Sequence, residues 1–259
     1  MRSMLGYKFV LLYVIVIRNI NILPLMKRFY ILLLLMFTIA SAQAQHRDWA
    51  DFGRYADANK SVVERPDAVF MGNSITELWA QYDPEFFTKN NFVGRGISGQ
   101  TTAEMLVRFR QDVIALNPRA VVIMAGINDI AMNNGYIALE NIFGNIVSMC
   151  ELAKAHKIKV VLCSITPCAQ FGWRKELKPA EPIRELNKMI RAYAEENKIY
   201  YLDYHSALTT EEGGLPEKWT FDGCHLNLEC YRAINEPMVC EAIDKVLKVK
   251  KNHRHQPMK

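Results

Sequence analysis

The chain has 259 residues, 50% of them hydrophobic, a formal net charge of +5 and six cysteines. The excess charge comes from Arg2, Lys8, Arg18, Lys27 and Arg28 in a stretch, residues 1–44, that holds no acid, so from Gln45 on the chain is formally neutral. A neutral folded part gives no footprint for nucleic acid, which normally requires a clustered positive face, and its length suits one domain with a full core.

In chain order, the first feature is an address label. From Met26 the sequence reads Met-Lys-Arg, then an apolar run from Phe29 to Ala40, then Ser41-Ala42-Gln43-Ala44. These are the basic start, apolar middle and Ala-x-Ala cleavage site of a secretory signal. The apolar run is about a dozen residues, short of the roughly 20 that a spanning helix needs. The expectation is therefore export, to a periplasm or the outside, with no stable membrane anchor once the leader is removed. An earlier apolar stretch, Phe9 to Ile17, reads as an upstream extension ahead of a start at Met26; an N-terminal membrane hairpin is the alternative. No cysteine follows the apolar run to carry a lipid. The predicted organisation is an extension plus signal over residues 1–44 and one folded domain over 45–259, ending in a basic, frayed tail from Lys248 to Lys259.

After a polar, helical lead-in from Trp49 to Val63, short apolar runs alternate with longer amphipathic ones, the pattern of strands and crossover helices in a parallel sheet. Strands are predicted at Ala68 to Met71, Phe92 to Gly94, Ala120 to Ala125, Lys159 to Ile165 and Ile199 to Leu202. The third and fourth are continuous Val/Ile/Leu runs, as in strands buried on both faces. Helices are predicted at Thr102 to Ala115, Leu139 to His156, Glu181 to Asn197 and Leu228 to Val249. The fold class is α/β, a three-layer α/β/α sandwich around a mainly parallel five-stranded sheet.

In such a sheet ligands sit beyond the carboxyl ends of the strands. Those positions here are polar and small: Gly72-Asn73-Ser74-Ile75-Thr76, Gly96-Ile97-Ser98-Gly99-Gln100-Thr101-Thr102 and Gly126-Ile127-Asn128-Asp129. Ser74 falls at a strand-to-helix turn, where it either caps the helix or presents a nucleophilic Oγ beside helical N–H groups. A serine nucleophile needs a base with an orienting carboxylate, and Asp222-Gly223-Cys224-His225 offers both. A rival pair, Asp203 and His205, reads as structural. Acyl transfer also needs donors for the oxyanion; the N–H groups of Ser74 and Gly99 and the amide of Asn128 fill that set. Alone, Gly99 and Asn128 would be ordinary turn residues.

With these four blocks in order, the sequence resembles the SGNH hydrolase superfamily, the GDSL-type esterases and lipases, and in particular its compact branch similar to platelet-activating-factor acetylhydrolase subunits. The blocks are Val69 to Thr76, Arg95 to Thr102, Ala125 to Asp129 and Asp222 to Asn227, spread over nearly all of the chain past the leader. The resemblance implies a flavodoxin-like fold, a Ser74–Asp222–His225 triad, an oxyanion hole from Ser74, Gly99 and Asn128, and no metal or other cofactor. Asn73 stands where the family more often has Asp, which implies altered local hydrogen bonding. The lipase elbow G-x-S-x-G is absent, Thr76 standing at its last position. Gly94-x-Gly96-x-x-Gly99 fits a dinucleotide pattern by letters only, since it follows the second strand and lacks the acidic partner.

Cys150, Cys163, Cys168, Cys224, Cys230 and Cys240 are read as buried thiols or as disulfide partners, with Cys224 to Cys230 a pairing that would constrain the catalytic turn. Trp79, Trp173 and Trp219 fall in candidate rim loops, where aromatic faces stack on sugar rings. The chain is short for a lid or long acyl tunnel. The predicted activity is hydrolysis of short acyl esters, acetyl above all, on a small-molecule or glycan substrate. The alternatives are a lysophospholipase or thioesterase, and a carbohydrate-binding module without chemistry.

Overall fold

The computed structural model describes residues 24, 27, 29–33 and 48–249. The chain divides into two units, Met1–Trp49 and Ala50–Lys259. In the first, residues 29–33 are helical; the rest of the expected leader, and the basic tail past Val249, lie outside the described residues. Among the described residues no helix is long and apolar enough to cross a membrane.

The second unit is built on five short strands: β1 (Ala68–Gly72), β2 (Phe92–Gly96), β3 (Ala120–Ile123), β4 (Lys159–Cys163) and β5 (Tyr200–Leu202). Their spatial order is β2-β1-β3-β4-β5, and every pairing is parallel. Parallel neighbours need crossovers, supplied here by helices. A short α1 (Ala56–Lys60) precedes the sheet. Then α2 (Ser74–Tyr82) and α3 (Pro84–Lys89) join β1 to β2, and α4 (Thr102–Asp112) joins β2 to β3. From β3 the chain passes through α5 (Ile127–Ile130) and α6 (Leu139–Ala155) to β4, then through α7 (Ala180–Glu196) to β5. After β5 come α8 (Tyr204–Leu208), α9 (Leu228–Cys230), a π turn at Tyr231–Asn235 and α10 (Glu236–Leu247).

Successive strand residues point to opposite faces, and the core divides accordingly. Val69, Met71, Val121, Ile123, Val160 and Leu162 pack with α4, α6 and α7. Phe70, Val122, Val161 and Cys163 face the other way and pack with α2, α3 and α10. Helices on both faces make the three layers, and each wholly buried aliphatic or aromatic side chain stabilises by about 1.5–3 kcal/mol. On α7, Ile183, Leu186, Ile190 and Ala194 form the buried stripe, the helical period read as packing.

Several boundaries differ from the sequence reading. The lead-in helix shrinks from Trp49–Val63 to Ala56–Lys60, because Asp51 takes φ +51 and residues 52–55 form turns. The apolar run after β4 continues to Ile165, yet the strand stops at Cys163. There the Asn187 side chain of α7 takes both Ile165 backbone groups, at 2.8 and 3.0 Å, in place of a neighbouring strand. The long C-terminal helix is interrupted by the π turn just ahead of Pro237; a proline without an N–H cannot extend an α ladder, and a wider turn absorbs the loss.

Candidate active site

In a β2-β1-β3 arrangement the chain leaves β1 for one side and returns to β3 on the other, and the crevice past these carboxyl ends is the expected ligand site. Ser74 stands there as the first residue of α2, 8% exposed. Asn73 precedes it without a side-chain cap. The sheet edge is held close: a Cβ on Gly96 would stand 2.2 Å from the N of Glu77 and 2.6 Å from the carbonyl oxygen of Asn73. Only glycine permits that approach of β2 to α2.

Opposite Ser74, the segment from Thr220 to Asn227 is fastened by its own side chains. The Thr220 hydroxyl donates to the His225 carbonyl at 2.6 Å and accepts from the Gly223 N–H at 3.0 Å. Asp222 Oδ1 accepts the N–H groups of Cys224 and His225 at 2.9 and 2.7 Å. Asn227 caps α9 through the Cys230 N–H and donates to the Lys218 carbonyl.

This turn aims one imidazole at two partners. His225 Nδ1 lies 2.6 Å from Asp222 Oδ2, and His225 Nε2 lies 2.8 Å from Ser74 Oγ. Partial burial raises the Asp222 carboxyl, but bonds from the His225 N–H, the His225 ring and the Cys224 N–H more than offset it, so the group titrates below its ordinary range. The three residues named from sequence thus form one hydrogen-bonded chain in which the serine proton can pass to an imidazole backed by a charged carboxylate.

The two remaining blocks also meet. Asn128, buried on α5, donates its amide to the Gln100 carbonyl at 3.0 Å. Gly99 takes φ +79 with no atom within 4 Å of a notional Cβ, and its carbonyl accepts from Asn133 at 3.1 Å. Asp129, beside Asn128, receives the Thr102 N–H and hydroxyl; burial raises its carboxyl to about 6.

Sequence reasoning missed the residues that hold this arrangement. Glu77 of α2 accepts both the N–H and the hydroxyl of Ser98, at 2.8 and 2.5 Å, and pairs with Arg54. Arg108 of α4 is wholly buried and bonds to Gln100, Asp112 and the carbonyl of Gly72. Glu77 and Arg108 fall on helices at unremarkable spacings, and no local signal marks them. Two aromatic rings flank the imidazole: Phe221 stacks on His225 at 5.8 Å and Trp173 lies 6.0 Å away, both well exposed at 60% and 46%.

Of the three tryptophans expected at the rim, Trp173 alone stands beside the site. Trp79 is 2% exposed, stacked between Phe86 and Tyr231 in the core; it lies on the buried face of the helix that follows Ser74, whose extent the sequence reading did not give. Trp219 is partly buried against the second core, with Lys218 over its ring. Asp203 caps α8 and pairs with Arg191 rather than with His205, as its structural reading implies. All six cysteines are buried and none is in a disulfide. Cys224 and Cys230 do not pair, because Cys224 belongs to the first core and Cys230 to the second.

Residues 67–233 match the model of the GDSL-like lipase/acylhydrolase family, a span that includes all four blocks. The chain is similar to a GDSL-like lipase of Bacteroides thetaiotaomicron, with 46% identity and a TM-score of 0.74 over 76% of this chain and 99% of that one. It shares the fold of an acetyl xylan esterase at 21% identity and a TM-score of 0.56, over 68% of this chain and 98% of that one. It is 23% identical to the uncharacterized lipoprotein YqeF of Bacillus subtilis over 83% of this chain and 79% of that protein. The chain belongs to the GDSL-like lipase/acylhydrolase family, within the SGNH hydrolase superfamily that its sequence blocks resemble.

Proposed function

We propose that this protein is an exported serine esterase that removes short acyl groups, acetyl above all, from carbohydrate. The observation that carries the reading is the continuous chain from Ser74 Oγ to His225 Nε2 at 2.8 Å and from His225 Nδ1 to Asp222 Oδ2 at 2.6 Å. His225 takes the Ser74 proton as Oγ attacks the acyl carbonyl, and the N–H groups of Ser74 and Gly99 with the Asn128 amide receive the oxyanion. His225 then protonates the departing alcohol, and water, deprotonated by the same imidazole, releases the acid and restores Ser74. Asp222 stays charged throughout, keeping the imidazole in the tautomer with Nδ1 protonated.

A short acyl group is favoured by the burial of the nucleophile: Ser74 is 8% exposed, and its neighbours Asn73 and Ile75 are each 2% exposed. The exposed Trp173 and Phe221 rings flanking His225 favour a sugar as the alcohol side, since an aromatic face packs on the apolar face of a pyranose. The same scaffold carries an acetyl xylan esterase. Export is favoured by the leader from Met26 to Ala44 and by a relative that is a lipoprotein.

The test is hydrolysis of p-nitrophenyl acetate and p-nitrophenyl decanoate by the protein beside Ser74→Ala, followed by acetylated oligosaccharides. Acetate turnover that the substitution abolishes supports the reading. Preference for decanoate would replace it with a lipid esterase, and equal background from both proteins would leave a binding module.

A further inference from the structure

We propose that Cys168 and Cys224 are a redox pair that closes to a disulfide and fastens the loop carrying Trp173 to the Asp222–His225 turn. Cys168 opens the loop after β4, five residues before Trp173, and Cys224 lies between Asp222 and His225. Each thiol is the first influence on the titration of the other, as expected of neighbouring sulfurs. Both are almost fully buried, and both belong to the core on the α4, α6 and α7 face of the sheet. The surrounding backbone is matched as well. The Gln170 carbonyl accepts from Cys168 Sγ at 3.4 Å, and the same oxygen lies 4.0 Å from where a Cβ on Gly223 would stand. The Cys168–Gln170 segment therefore lies directly against Gly223–Cys224.

The other four cysteines lack this arrangement. Cys163 and Cys240 pack on the opposite face of the sheet, as does Cys230, whose thiol turns to Asn235 Oδ1 at 3.7 Å. Cys150 lies on α6, where burial pushes its thiol up to about 12. Within the pair the roles differ. Cys224 holds the Cys168 thiol below its ordinary value, while Cys168 and burial push Cys224 up. Cys168 is accordingly the thiol that ionises first and attacks.

The chemistry is exchange with an external disulfide, for which glutathione disulfide is the probe. The Cys168 thiolate attacks one glutathione sulfur, forming a mixed disulfide and releasing glutathione thiolate, which takes up the proton Cys168 lost. Cys224 then gives up its proton and attacks Cys168 Sγ, closing the protein disulfide and releasing the second glutathione. Two protein thiols are oxidised as one external disulfide is reduced to two thiols. Access is through the loop itself: Ala169, Gln170, Gly172 and Trp173, next to Cys168, are exposed.

The test equilibrates the full chain in buffers from wholly reduced to wholly oxidised glutathione, quenches with acid, then denatures, alkylates and maps the peptides by mass. The expected result is an oxidised form with two fewer alkylated cysteines than the reduced form, a Cys168–Cys224 linked peptide, and reversal on reduction. Its Tm should exceed that of the reduced form by about 5 °C. Cys168→Ser should lose the link and the Tm difference together, and Cys150→Ser should lose neither. Full alkylation of the wild type at every ratio, a glutathione adduct that never resolves, or a link between other cysteines would overturn the pairing. A link without a rise in Tm would overturn the fastening. Because the readout is mass and the oxidant is supplied, failure of this proposal and failure of the esterase or export reading are separate results.

Discussion

The guanidinium of Arg108 donates to the carbonyl of Gly72 at 3.0 Å, two residues before Ser74, from a position with no exposure to water. The same side chain bonds Gln100 Oε1 at 2.5 Å and Asp112 at 2.9 Å. One buried cation therefore ties the end of β1 to the loop carrying Gly99. Removing one partner of a buried ion pair leaves the other charge uncompensated. Arg108→Met should cost roughly 3–5 kcal/mol of unfolding free energy, measured by urea titration, and should depress esterase activity in the fraction that stays folded. A loss under about 1 kcal/mol, the size of a surface pair, would remove Arg108 from this role.

Gly96 and Gly99 should fail differently when replaced by alanine. At Gly96 the added Cβ meets backbone at 2.2 Å, so β2 must part from α2 and the variant is expected mostly insoluble or many degrees less stable. At Gly99 there is open space but φ is +79, and the cost is the roughly 1–2 kcal/mol of left-handed backbone. Comparing soluble yield and Tm of the two variants checks this; equal Tm values would contradict it.

Asn128→Ala removes the amide proposed to receive the oxyanion, together with its bond to the Gln100 carbonyl. Turnover of p-nitrophenyl acetate is expected to fall by about a hundred- to a thousandfold with KM little changed. Full activity would show that the amide serves only to hold the Gln100 loop.

Asp222→Asn should keep the turn and lose the chemistry, with kcat down by roughly four orders of magnitude because the imidazole is no longer held in the working tautomer. The stability signature has a sign. The folded Asp222 titrates below its ordinary 3.8, so its contribution is full above that value and is lost as pH falls through the lower folded one. The wild type should exceed the variant in Tm at neutral pH, with the gap closing below pH 3.8. A gap that stays constant down to pH 2 would mean that the charge is not the cause.

Trp173→Ala tests the sugar platform. An aromatic contact is worth about 0.5–1.5 kcal/mol, so KM for an acetylated oligosaccharide should rise about three- to tenfold while p-nitrophenyl acetate, which has no sugar, changes little. Equal effects on both esters would assign the ring to packing around His225.

The order of elements, the parallel sheet and the four blocks after its strands and ahead of its last helix were legible in the sequence, because each rests on short-range rules. Alternating apolar periods give strands and helices, and Ser74, Gly99, Asn128 and the Asp222–His225 turn are each local motifs. What sequence could not give was which distant groups meet. Trp79 looks like a loop residue until α2 turns its face inward against Tyr231, 152 positions on. Cys224 is nearer in sequence to Cys230 than to Cys168, yet the sheet separates the first pair and joins the second. Arg108, Glu77 and Phe221 carry no motif, and their importance comes from the loops and the ring they touch. Sequence alone determined the fold class and the candidate residues for the proposed chemistry, since backbone propensity and side-chain type are local properties. Tertiary structure alone decided the distances among them, because those depend on how two packed faces of one sheet bring remote loops to the same edge.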